Sequence, residues 1–154
     1  NFIFGGSQER SRRAGTENVA GIVGFSKAID ILRKSIDINI SKRFSLRDYF
    51  LNKLQENIPK YVINGSLDNR ASGNINISFP GVDKEMIIMS MDLRGICISG
   101  GSACSSGAVE NSHVLESMGL DDELKNSAIR ISFSENNSFE EIDEFIIALK
   151  EIID

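Results

Sequence analysis

Cys104 draws attention first because of what surrounds it. The stretch "ISGGSACSSG", residues 98–107, sets one thiol among glycines, serines and alanine. The thiolate is the reactive form of cysteine, and a free thiol has a pKa of about 8.5. Small neighbours leave the sulfur accessible, and a glycine–serine backbone swings easily. Such a cysteine suits a carrier of sulfur or acyl groups better than a fixed nucleophile in a preorganised triad. From these residues alone, an exposed loop cysteine of no consequence stays an open alternative.

Two further places are suited to charge. In "RRAGTENVAG", residues 12–21, basic residues, a glycine and a threonine lead into a helix start. Helix N-termini attract anions such as phosphate, and Thr16 is placed to serve as N-cap. The alternative is an ordinary cap with solvated arginines. Arg130 sits in "AIRISF", residues 128–133, where Ile129, Ile131 and Phe133 share one face and Arg130 and Ser132 the other. A guanidinium held on a strand matches a carboxylate in a bidentate pair; the alternative is a surface arginine. His113, the single histidine, follows Cys104 by nine residues and reads as an exposed first-turn residue rather than a catalytic partner. Cys97 reads as a small buried hydrophobe, and Met86, Met89 and Met91 as core.

The elements that must position these residues follow from periodicity. Apolar residues at helical spacing predict a helix from Glu17 to Ile36 with one buried stripe, and a second from about Ser41 to Asn57 that Pro59 ends. Tyr61–Asn64 and Gly95–Ser99 read as short strands. Asn74–Phe79 alternates strictly, with Ile75, Ile77 and Phe79 inward and Asn74, Asn76 and Ser78 outward. Asp83 caps a helix through Leu93, Ser112 a short one ending at Gly119, and Ser138 with Glu141 forms a capping box for the last helix, striped by Ile142, Phe145, Ile146 and Leu149. The expected architecture is α+β: a short, mainly antiparallel sheet covered by helices, preceded by a long connecting helix.

Composition bounds the partners. The 154 residues are 41% hydrophobic and 25% charged, with a formal net charge of −5. That size supports a real core. The mild acidity argues against direct binding to nucleic acid or an anionic membrane surface. Two cysteines without a C-x-x-C pair, and one histidine, make a zinc site unexpected. No apolar run is long enough to cross a bilayer, and a reducing, cytoplasmic location is expected.

Taken together, "GGSQERSRRAGTENVAGIVG", "NINISFPGV", "SGGSACSSG", "SHVLESMGL", "AIRISF" and "SFEEID" resemble, in order and rough spacing, the cysteine desulfurases of the NifS/IscS type, across essentially the whole chain. The resemblance implies the small C-terminal domain of a fold-type I enzyme that uses pyridoxal phosphate. It implies conversion of L-cysteine to L-alanine in a homodimer. The sulfur is left as a persulfide and handed to iron–sulfur scaffold proteins or to tRNA-thiolation acceptors. Cys104 falls on the persulfide cysteine of a long mobile loop, 99–108. Thr16 falls on the threonine that reaches the cofactor phosphate of the other subunit, and Arg130 on the arginine that binds the substrate carboxylate. A transient iron–sulfur ligand role for Cys104 is left open.

The chain also departs from the family. Members are much longer, and their Ser-x-His-Lys segment, whose lysine carries the cofactor, has no counterpart here. The opening "NFIFGG" lacks an initiator methionine. A C-terminal portion is therefore expected: residues 1–18 as the tail of the large domain, 19–38 as the connecting helix, 39–154 as the small domain. By itself this portion is expected to be inactive. The competing reading is a non-catalytic sulfur-carrier or partner-binding module.

Overall fold

The structure is a computed structural model that describes residues 2–101 and 112–153. The chain divides into two compact units, Asn1–Asp37 and Ile38–Asp154.

In the first unit, Ile3 bridges Arg13 in parallel. Between them lies the short turn α1 (Gln8–Ser11), in which Glu9 and Arg10 have left-handed backbone. The helix expected from residue 17 begins at Val19, as α2 (Val19–Asn57). Its cap is Asn18, whose Oδ1 accepts the Gly21 N–H at 3.0 Å, so Thr16 lies two residues ahead of the cap position assigned to it. An asparagine one residue before the helical turn satisfies the third amide, which Thr16 is too far back to reach. The expected stripe of this segment is exposed: Val19, Ile22 and Val23 are each about 60% accessible. The two expected helices are one, because nothing in Asp37–Ile40 lacks an N–H or needs an unusual φ.

The second unit carries the core. Along α2, Leu46, Phe50 and Leu54 recur every four residues and are buried. They meet one face of a three-stranded antiparallel sheet ordered β1 (Val62–Ile63), β2 (Asn74–Ser78), β3 (Ala128–Ser132). The register sets Ile75 opposite Ile131 and Ile77 opposite Ile129. Those isoleucines join Ile87 and Met91 of α3 (Lys84–Asp92) and Ile142, Phe145, Ile146 and Leu149 of α6 (Phe139–Ile153) in one apolar cluster. Each such burial contributes roughly 1.5–3 kcal/mol. The expected α+β architecture is the observed one.

The caps follow the sequence closely at two helices. Asp83 accepts from Glu85 N at 2.7 Å. Ser138 Oγ accepts from Glu141 N, and Glu141 Oε2 accepts from Ser138 N at 3.1 Å, a reciprocal capping box. Three expectations need correction. Gly95–Ser99 forms no strand: Gly95, at φ +75, closes α3, and only Ser99 bridges β3, at Arg130. Met86 and Met89 are exposed, and only Met91 is core, because α3 turns a single face to the cluster. Ser78, expected outward, is fully buried. A short helix that the periodicity did not announce, α5 (Asp122–Asn126), covers that end of the sheet's polar face, with Ser78 Oγ donating to the Leu124 carbonyl at 2.8 Å.

Candidate functional site

The polar face of the sheet carries the candidate site. Asn76 stands directly opposite Arg130 in the β2–β3 register. Both line a cavity of about 250 Å³, together with Asn64, Asn74, Arg70 and Ser112. Gly101 also borders it, so the residues flanking each end of the 102–111 segment lie on its wall. Cys104 belongs to that segment and lies outside the described residues, as does most of the expected loop 99–108. His113 opens α4 (His113–Ser117) and is exposed, as expected.

Arg130 is half-buried and held by its backbone. Its N–H donates to the Ser99 carbonyl and its carbonyl accepts from Ser99 N. Its Nη2 donates to Ser99 Oγ at 3.4 Å, a long and weak bond. Among the described residues it makes no ion pair, so most of its five donors are unspent. Among the described residues the cavity lining contains two arginines and no carboxylate. Such a lining favours an anion.

Arg70, the second guanidinium, is spent on backbone. Its Nε donates to the Ser66 carbonyl at 3.0 Å and its Nη2 to the Asn64 carbonyl. Its Nη1 is buried without a partner. Burial, and then the nearby Arg47 cation, lower its pKa from the ordinary guanidinium value, though an arginine stays charged. Gly65 makes this possible: it has φ +83, and a Cβ there would meet Arg70 Nη2 at 2.8 Å.

Sequence reasoning singled out Arg130 and missed Asn64, Arg70 and Asn76. The signal was available in part. Asn74, Asn76 and Ser78 share the parity of the polar face, and so does Arg130 on its own strand. What was hidden is the register that pairs the strands. Cys97 needs correction: it is exposed, not buried. Ile96 and Ile98 take the inward positions and pack on the core, which leaves the residue between them outward. Thr16, in the first unit, is exposed beside Gly15. Among the described residues no cluster of His, Cys, Asp or Glu has the arrangement of a metal site.

Comparison with known proteins adds the following. The aminotransferase class-V family model matches residues 5–145. A protein named cysteine desulfurase IscS from Dictyoglomus turgidum is 41% identical over 153 residues, which is 99% of this chain and 39% of that protein. A cysteine desulfurase of a Nostoc species is also 41% identical, over 99% of this chain and 38% of its own length. Among solved structures, a NifS-like protein from Rickettsia africae superposes with a TM-score of 0.81 at 35% identity, covering 97% of this chain and 39% of its own. This chain thus spans about 39% of the length of the curated relatives it matches.

Proposed function

The chain belongs to the aminotransferase class-V family, and from that premise we propose that it is the part of a cysteine desulfurase that collects sulfur from L-cysteine. The observation that carries the reading is the cavity itself: Arg130, with donors that no described group takes, faces a lining whose described residues include no carboxylate, and the residues that flank the 102–111 segment stand on its wall. A substrate whose carboxylate rests on Arg130 is thereby held beside Gly101 and Ser112, between which the chain carries the thiol. The names of the similar proteins agree with this reading.

In this proposal Arg130 binds and orients L-cysteine through its carboxylate, and its backbone pairing with Ser99 fixes where its side chain leaves the sheet. The Cys104 thiolate attacks the substrate sulfur. A sulfur–sulfur bond forms, the carbon–sulfur bond breaks, and the electron pair left on the substrate β-carbon takes a proton, so that L-alanine leaves and Cys104 keeps a persulfide. The acceptor is a sulfur-receiving protein of the iron–sulfur or tRNA-thiolation kind, and the working enzyme is a homodimer.

The cofactor of this reading is pyridoxal phosphate, which when bound supplies the electron sink that makes the carbon–sulfur bond labile. The residues here fit one corner of it. The exposed Thr16 hydroxyl, at the turn beside Gly15, is a donor suited to a phosphate oxygen. Among the described residues no lysine–histidine pair is placed to hold the ring. The test is mass spectrometry of the complete protein after incubation with L-cysteine without reductant. One extra sulfur on Cys104, lost in Cys104→Ser together with turnover, is the expected result. Sulfur on Cys97, or unchanged turnover in the variant, overturns the reading.

A further inference from the structure

The polar face of the sheet contains a row of hydrogen bonds whose direction can be worked out from one end. The row starts at the Leu124 carbonyl, which can only accept. Ser78 Oγ lies 2.8 Å from it and therefore donates its one proton there. The same Oγ lies 2.8 Å from the Asn64 side-chain nitrogen. With its proton spent, Ser78 must accept, so the Asn64 atom facing it is the NH₂ group. That group also reaches Asn76 Oδ1 at 2.6 Å. Both protons of the Asn64 amide are then used, one on Ser78 and one on Asn76. Asn76 faces Asn64 with its oxygen, which leaves its own NH₂ turned the other way.

The row is built to hold this arrangement. Asn64 and Ser78 are almost fully buried, where an unpaired polar atom is costly. Arg70 secures Asn64 from behind through its carbonyl, and the Asn64 N–H donates to the Asn76 carbonyl at 2.9 Å. No described group takes the two protons of the Asn76 amide nitrogen, although Asn76 lines the cavity and stands opposite Arg130. Facing residues of an antiparallel pair have Cβ atoms about 4.5–5.5 Å apart, a separation that lets both reach one carboxylate.

We propose that Asn76 is a second binding residue of the cavity, donating its oriented NH₂ to the same ligand carboxylate that Arg130 grips. This rests on the reading of the cavity as the carboxylate site. It makes the site two-handed: a cation for charge and a neutral amide for orientation. The Leu124–Ser78–Asn64 row dictates which atom of the amide is offered.

The test uses the complete protein and two probes, L-alanine and L-alaninamide, which differ in the carboxylate alone; binding is measured by calorimetry. Asn76→Asp turns the donor into a like charge with almost no change of shape. It is expected to weaken L-alanine at least about tenfold, the scale of a hydrogen bond to a charged group, without weakening L-alaninamide. Asn76→Ser adds no charge and carries the same test should the aspartate variant fail to fold. If Arg130→Lys weakens L-alanine while both Asn76 variants bind it as the parent does, the Asn76 assignment is overturned and the carboxylate reading stands. Equal weakening of both probes by the Asn76 variants also overturns it, as a general distortion of the site. If Arg130→Lys too leaves L-alanine unchanged, the carboxylate reading itself falls, and the role of Asn76 with it.

Discussion

Two of the cavities among the described residues flank β3, and the larger of the pair is not the better candidate. The one lined by Arg130 measures about 250 Å³. The other, about 330 Å³, lies between Arg94–Ile98, β3 and the start of α6. The second has charges of both signs, and two of the three, Arg94 and Glu141, are already engaged, while Glu144 makes no described ion pair. Arg94 Nη2 pairs with Glu151 at 2.9 Å, and Glu141 is the acceptor of the capping box and of Asn137 Nδ2. Its floor is core: Phe50, Ile131 and Phe145. In the smaller cavity, Arg130 and Asn76 keep donors that nothing described here consumes. Unspent donors converging on one wall, rather than volume, mark the smaller cavity as the place for an anionic ligand.

That contrast can be broken from the structural side first. Phe50 is 1% exposed and forms both the larger cavity's floor and the ring cluster with Phe133 and Phe145. Phe50→Ala is expected to cost about 3–5 kcal/mol of stability, read from the urea midpoint of the protein. A loss below about 1 kcal/mol would mean that these walls are not core. A smaller effect tests independence. Cys97 is exposed at the larger cavity, so iodoacetamide is expected to alkylate it readily in the folded protein. L-alanine binding should be unchanged by that modification in a Cys104→Ser background. Weakened binding would join the two cavities into one site.

The smallest effect concerns Glu141. Hydrogen bonds from Asn137 Nδ2, and then from Ser138 N–H, hold its carboxyl below the ordinary carboxylate range. Its charged form is therefore favoured by folding. The contribution is present above the pKa of the unfolded chain and is lost as pH falls through the lowered folded value. The melting temperature of Glu141→Gln should lie slightly below the parent's at neutral pH and meet it in acid. A difference independent of pH would mean that only the shape of the side chain matters.

Much of this was legible without coordinates, and the misses have common causes. β2 could be read because alternation is local, and so could the caps at Asp83 and Ser138, where an oxygen meets an amide two or three residues on. Ser78 could not. Its burial depends on α5, which arrives 46 residues later, and alternation alone assumes water on the second face. Cys97 was misread by parity, since a segment with isoleucines on either side of a cysteine does not say which set turns inward. Thr16 was read as the cap that Asn18 in fact provides, and a difference of two residues is beyond what spacing resolves. Arg130 was found because charge on an apolar-patterned strand is conspicuous, whereas Asn76 is an ordinary residue until its partner across the sheet is known.

Gly65 is not among the described lining residues of the cavity and belongs to no motif, yet it secures one end of the polar row. Its positive φ and the 2.8 Å approach of Arg70 leave no room for a side chain. A larger residue there must push Arg70 off the Asn64 carbonyl, and the amide that Asn64 orients is then free to turn over. In genetic terms, Gly65 is a place for partial loss-of-function alleles. On the reading proposed above, Gly65→Ala would raise the ligand concentration needed to fill the cavity, so its defect would surface when the ligand is scarce and a surplus would mask it.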